Sequence, residues 1–179
     1  MRQNPTLASW MELRERLAGY FAARARGLLA PEYVLSSRTG EGFGRLRVHG
    51  PEGAELETES TSAEIERTAR SRYRMLTGGV QTLVAGPARS TAGLLEVRCE
   101  NRVYVARLDL VRNTAAAHSS WGGEAARIAG GLTNRSYEAV FDAEDEGSLP
   151  VAIFVLYHTI ALRRRAFLAD AQGSEDRNS

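Results

Sequence analysis

Residues 148–165, SLPVAIFVLYHTIALRRR, are the stretch that decides the fold. Ser148 and Pro150 suit the first turn of a helix, acidic residues precede it, and Arg163–Arg165 close it, as the helix dipole favours. Between these ends the helix is apolar in every direction, so protein or lipid must enclose it on all sides. His158 and Thr159, in its middle, would then need hydrogen-bond partners inside the protein.

The length of this helix favours burial in protein over burial in lipid. The apolar run is about 14 residues, or roughly 21 Å, whereas a bilayer crossing needs about 20 residues. A small membrane protein anchored by residues 149–165 stays an alternative, because the three arginines can act as a positive-inside stop.

The residues from Tyr33 to Asp142 alternate apolar and polar side chains, which is typical of strands with one buried face. The clearest segments are GRLRVHG (44–50), LLEVRCE (94–100), RVYVARLDLVR (102–112) and RSYEAVF (135–141). The segment AEIERTARSRYRML (63–76) is compatible with a helix or with strands, and its alternation favours strands. A sheet is the only element available to enclose the helix. We therefore predict a mainly β (α+β) fold, an antiparallel β-barrel around a hydrophobic C-terminal helix.

Residues 1–30 predict an added N-terminal amphipathic helix. Ser9 and Glu12 have the spacing of a capping box. One apolar stripe contains Trp10, Leu13, Leu17, Phe21 and Leu28. Such a helix packs on its own domain or pairs with another copy as a homo-oligomer, and its arginine rim also suits a membrane surface. The barrel domain then covers residues 31–168, with its central helix at 149–165, and residues 169–179 form a disordered polar tail.

The charge distribution restricts the class of partner. All of the 23 Lys+Arg residues are arginine, and with 22 Asp+Glu the net charge is +1, so bulk charge does not support nucleic-acid binding. Residues 67–135 are nevertheless basic, and the segments on either side, 31–66 and 136–179, are acidic. We expect either a surface for an anionic partner, such as a phospholipid headgroup or membrane surface, or arginines that merely occupy outward strand positions.

The sequence contains no motif for catalysis, cofactor binding or metal binding. H-E-x-x-H, C-x-x-C, P-loop and G-x-S-x-G patterns are all missing. Histidine and serine cluster only at His118–Ser120, where sequence neighbours rarely form a triad. The single Cys99 excludes an intrachain disulfide and falls on an inward strand position. The missing motifs predict that the protein is not an enzyme. No segment has the order of a signal peptide, so we expect a cytoplasmic bacterial protein. If the protein binds lipid, we expect it to be peripheral to the membrane.

Most of the chain resembles the Tubby C-terminal, LURP-one-related and phospholipid-scramblase-like superfamily. The likeness is one of pattern and order, over about residues 33–165. It is carried by the strands at 94–111, Trp121 before Gly122–Gly123, Ile128 before Gly130–Gly131, and Tyr137–Phe141 leading into an acidic turn and the apolar helix. The resemblance implies a barrel threaded by a helix and a non-enzymatic module that binds lipid headgroups through basic residues. The N-terminal helix and the three arginines depart from the family pattern.

Two rows of arginines are the candidate anion-binding residues. Residues two apart on a strand share a face, so such rows present guanidinium groups that fork onto phosphate oxygens. The rows are Arg70, Arg72 and Arg74 on one strand, and Arg102, Arg107 and Arg112 on or beside another. We predict a tubby-like binding or structural module that contacts anionic phospholipid headgroups through them. The alternative is an oligomeric scaffold without lipid binding, because an arginine-rich sequence also produces such rows by chance.

Overall fold

Alternating side chains, as along Leu95–Cys99, give strands with one buried face, and twelve such strands close into an antiparallel barrel. The computed structural model describes residues 5–27, 32–89 and 93–175, and the side chains of residues 8–167 within those ranges. The elements are α1 (Pro5–Leu17), β1 (Tyr20–Arg26), β2 (Glu32–Ser36), β3 (Gly42–Val48), a 3₁₀ turn (Gly50–Glu52), β4 (Gly53–Thr58), β5 (Ser62–Ala69), β6 (Arg72–Thr77), β7 (Val80–Pro87), β8 (Leu95–Cys99), β9 (Arg102–Asp109), β10 (Thr114–Ser119), β11 (Gly123–Gly130), β12 (Ser136–Phe141) and α2 (Ser148–Glu175).

Each strand pairs with its neighbours in sequence, and β1 pairs with β12 to complete the barrel. In that closing pair Tyr20 lies opposite Val140 and Arg24 lies opposite Ser136. The predicted fold class is confirmed. The ambiguous segment 63–76 forms β5 and β6, as its alternation favoured.

α2 runs through the centre of the barrel. The residues from Val151 to Tyr157 have no exposed surface, because the inward faces of the strands surround them. Thr159 Oγ1 donates to the carbonyl oxygen of Val155 at 2.8 Å, as predicted for a polar residue inside a barrel. The same expectation is wrong for His158, whose Nδ1 has no hydrogen-bond partner.

The apolar part of α2 therefore faces protein, and the structure gives no support to a membrane anchor at 149–165. Among the described residues, no helix has the length and apolarity that a bilayer crossing requires. α2 extends to Glu175, past the predicted end at residue 165 and into the predicted tail. The reason is that residues 163–172 contain no proline or glycine and favour helix throughout.

The N-terminal helix is shorter than predicted. α1 ends at Leu17, and Phe21 lies in β1 with its side chain buried, so it does not extend the helical stripe. Ala18 and Gly19 have φ of 46° and 83°, a left-handed pair that ends the helix and turns the chain into the sheet. Leu28, the last residue of the predicted stripe, lies outside the described residues.

The two ends of the barrel differ. At the closed end, Trp10, Leu13 and Leu17 of α1 are buried against the barrel, and Trp10 Nε1 donates to Thr77 Oγ1 at 3.0 Å. The prediction that this helix packs on its own domain is thus confirmed, and any pairing between copies would use its other face. At the open end, α2 leaves the barrel on the side where β1, β3, β5, β7, β9 and β11 end.

Candidate functional site

Arginines are concentrated at the open end of the barrel. Its turns and terminal strand residues carry Arg26, Arg70, Arg72, Arg89, Arg112 and Arg135 against Glu32, Glu52 and Asp109, and α2 adds Arg163, Arg164 and Arg165. At the closed end the corresponding residues are Glu41, Glu59, Glu100, Asp142, Glu144, Asp145 and Glu146 against Arg38 and Arg102. The small net charge conceals this separation, which gives the open end a field that attracts anions.

The predicted row Arg70, Arg72 and Arg74 is divided between two surfaces. Arg72 and Arg74 both face outward from β6, because Tyr73 between them is buried. Arg74 Nε donates to Glu66 Oε2 at 2.6 Å. Arg70 lies in the turn between β5 and β6, where it lines a cavity beside α2. Two of the three arginines therefore share a face, and the third contributes to a different site.

The predicted row Arg102, Arg107 and Arg112 does not form. Arg102 lies at the closed end and donates to Asp145 Oδ1 at 2.7 Å. Arg107 is exposed on the outer surface of β9, and Arg112 lies in the following turn, 3.8 Å from Asp109 Oδ2. Arg102 and Arg107 are an odd number of residues apart, so the alternation of the strand places them on opposite faces.

Two neighbouring turns at the open end expose large apolar side chains. Val111, between β9 and β10, is 94% exposed, and Leu132, between β11 and β12, is 95% exposed. Phe167 of α2 is 53% exposed. We call these three residues the apolar tips. Arg112 and Arg135 lie in the same turns as Val111 and Leu132, so these apolar side chains are flanked by positive charge.

Arg163 holds the apolar tips together. Its guanidinium donates from Nη1 to the carbonyl oxygen of Leu110 at 2.6 Å and from Nη2 to that of Leu132 at 3.3 Å. The guanidinium carbon lies 5.3 Å from the centre of the Phe167 ring. Because Arg163 is buried, it is a structural link between α2 and both turns rather than a free surface charge.

A cavity of about 480 Å³ lies at the open end on the other side of α2. At 3.6 residues per turn, His158, Leu162 and Arg165 face this cavity, whereas Arg163 and Phe167 lie on the opposite side of α2, towards the turns of Val111 and Leu132. The hairpin of β5 and β6 supplies the opposite wall, with Arg67, Arg70, Ser71 and Tyr73. α2 thus separates two surfaces at one end of the barrel.

His158 lies in the wall of this cavity and is held by aromatic rings. Its imidazole stacks on Phe154, with ring centres 5.8 Å apart, and meets Tyr73 edge-on at 5.3 Å. Burial lowers the pKa of His158 to about 4. The ring is therefore neutral at neutral pH, and its Nδ1 is left without a hydrogen-bond partner.

The residues considered for catalysis do not assemble into a reactive group. His118 is exposed, with Nε2 4.0 Å from Glu124 Oε2, and Ser119 Oγ accepts a hydrogen bond from the backbone N–H of Trp121 at 3.0 Å. Burial raises the pKa of the Cys99 thiol to about 12, which keeps it protonated. In the part of the chain that the structure describes, no three His, Cys, Asp or Glu side chains gather as metal ligands do.

The sequence indicated only part of this end of the barrel. Arg70 was among the predicted residues, and Arg163–Arg165 were identified as the end of the helix. Val111 and Leu132 were missed, because one apolar residue in a turn has no periodicity. A usable signal was present: each of two turns combines an apolar residue with an arginine. An antiparallel strand order places these two turns at the same end of the barrel.

Comparison with known proteins supports the fold. No protein-family model matches the sequence, and the search of curated proteins finds no match. Among solved structures, the chain is similar to the X-ray structure of the Arabidopsis thaliana protein AT5G01750, with a TM-score of 0.53 and 10% sequence identity. The match covers 76% of this chain and 88% of that chain. That protein has a LURP-one/tubby-like fold, and the similarity extends to the fold of this chain, a closed antiparallel barrel with a central helix.

Proposed function

We propose that the protein is a non-enzymatic module that binds anionic phospholipid membranes with the open end of its barrel. The observation that carries this proposal is the almost complete exposure of Val111 and Leu132 on neighbouring turns that also carry arginines. The tubby-like fold supports a binding role, and so does the lack of a reactive group among the residues described above.

The apolar tips and the arginines would contribute comparable amounts to binding. Moving an exposed valine or leucine into an apolar environment gains about 1.5–3 kcal/mol when burial is complete. Each arginine near an anionic surface adds about 1 kcal/mol, which salt weakens. Stable attachment needs several such contributions, so binding should require both the apolar side chains and the negative lipid.

The direction of approach follows from α2. The helix continues to Glu175, about 15 Å beyond Arg165 at the rise of an α-helix. A flat membrane can therefore reach the barrel end only beside α2, and the apolar side chains place it on the side where Phe167, Val111 and Leu132 lie. The cavity lined by His158 is on the other side of the helix.

Vesicle flotation tests the proposal. We expect the protein to float with vesicles that contain phosphatidylglycerol, to stay behind with pure phosphatidylcholine, and to be released as salt is raised. The double variant Val111→Asp, Leu132→Asp should bind at least tenfold more weakly, because each substitution removes an apolar contact and adds a repelled charge. Val80→Asp is the matched control, since Val80 is 51% exposed at the closed end. Binding that ignores headgroup charge, or an equal loss in the control, would contradict the proposal.

A further inference from the structure

The cavity beside α2 has the features of a second binding site, on the side of the helix opposite the apolar tips. We propose that it binds a small organic phosphate, a phosphate monoester whose organic part is apolar or aromatic. Three observations carry this inference: arginines with incomplete charge compensation, apolar walls, and a buried histidine with an unused hydrogen-bonding atom. It does not depend on membrane binding.

The charge of the cavity fits a phosphate group. Arg67 is fixed in place, donating from Nη1 to Glu52 Oε1 at 3.0 Å and from Nε to the carbonyl oxygen of Ala69 at 3.3 Å. Arg70 and Arg165 also line the cavity, and neither forms an ion pair with any described residue. Three guanidinium groups thus face one carboxylate, and the planar forks of Arg70 and Arg165 match the oxygens of a phosphate dianion.

The rest of the cavity fits an organic group. Leu95, Ala161, Leu162 and the ring of Tyr73 form its apolar part. Its volume, about 480 Å³, lies in the range of cavities that hold small ligands. Inorganic phosphate alone would leave these walls uncovered, so the ester should bind more tightly than the free ion.

His158 supplies the polar contact within the apolar part. The side chain is 9% exposed, its ring packs between Phe154 and Tyr73, and its Nδ1 forms no hydrogen bond with any described residue. Buried polar atoms are rarely left unpaired, because an unmade hydrogen bond costs about 1–3 kcal/mol. A bound ligand with a hydroxyl or ester oxygen near the ring would remove this cost.

Calorimetric titration with phenyl phosphate and with inorganic phosphate tests the site. Phenyl phosphate should bind saturably and at least tenfold more tightly than inorganic phosphate. Arg70→Gln and Arg165→Gln should each weaken phenyl phosphate binding about tenfold or more, because each removes a charge-assisted hydrogen bond. Arg107→Gln, an exposed arginine on the outer face of β9, is the control and should leave the affinity unchanged.

Two further measurements make the result specific. The imidazole resonances of His158 should shift on addition of phenyl phosphate, while those of the exposed His118 stay fixed. Dihexanoyl phosphatidic acid, dissolved as monomers, is then compared with phenyl phosphate. Saturable binding of either compound supports the site, and the tighter binder shows whether the natural phosphate belongs to a lipid headgroup or to a soluble ester. Absence of saturable binding, equal binding of inorganic phosphate, or unchanged affinity in both arginine variants would overturn the inference.

Discussion

Replacing His158 by phenylalanine should remove the contribution of this side chain to the dependence of stability on pH. The His158 side chain is buried near the open end of the barrel, where it contacts Phe154 and Tyr73. A phenyl ring at this position keeps the aromatic contacts, and the substitution removes only the titrating group. Burial lowers the pKa of His158 from 6.5 to about 4, whereas the unfolded chain retains the ordinary value. Between these values the unfolded state binds a proton that the folded state does not.

The magnitude follows from the two pKa values. A group with a lowered pKa contributes stability that is fully present above the unfolded pKa and is lost as the pH falls towards the folded pKa. The full difference corresponds to about 3 kcal/mol, reached below both values, and about 2 kcal/mol of it is lost between pH 7 and pH 5. The arginines around the ring stay charged throughout this range and do not change the sign.

Urea unfolding of both proteins at pH 7 and pH 5 measures this quantity. The loss of unfolding free energy on going from pH 7 to pH 5 should be about 2 kcal/mol smaller in His158→Phe than in the original protein. The carboxylates titrate in both proteins, so their contributions cancel in the comparison. Equal pH dependence in the two proteins would refute the reasoning, as would an NMR titration that gives His158 an ordinary pKa.

Three other predictions concern the closed end and the core. Trp10→Ala should lower the free energy of unfolding by about 3–5 kcal/mol, whereas Trp121→Ala, at a side chain that is 82% exposed, should change it by less than about 0.5 kcal/mol in urea unfolding. Cys99, 1% exposed and with its pKa raised to about 12, should react with a thiol reagent only on unfolding, so fast labelling of the folded protein would contradict its burial. Asp145→Asn should lower the unfolding free energy by about 2 kcal/mol, because Asp145 accepts hydrogen bonds from Arg102 and Tyr104, and Glu144→Gln, in the same turn, serves as the control.

The central helix and the barrel were predictable because each leaves a periodic signal. A helix that is apolar on every side has to be enclosed, and strands such as Leu95–Cys99 show which face encloses it. The strand β1 was not predictable, since Phe21 follows Leu17 at helical spacing. The break between them depends on a left-handed backbone at Ala18, a residue that rarely adopts it.

The site was less predictable than the fold, because it depends on which turns meet at one end of the barrel. Arg102 and Arg107 are close in sequence, but they lie on opposite faces of β9 and differ in their surroundings. Val111 and Leu132 are far apart in sequence and become neighbours only when β10 and β11 pair and Arg163 joins their turns to α2. Charge and hydropathy along the chain do not contain that information.

The position of α2 in the chain has a consequence for biosynthesis. All twelve strands leave the ribosome before the helix that they enclose, and closure joins Tyr20 to Val140, at opposite ends of the barrel sequence. Such long-range pairing folds slowly, and until α2 arrives the inward faces of the strands have no apolar partner. Nascent chains and products of premature stop codons before Ser148 should therefore be substrates for chaperones and proteases. A truncation just before α2 should abolish the folded barrel as completely as a truncation near the start of the chain.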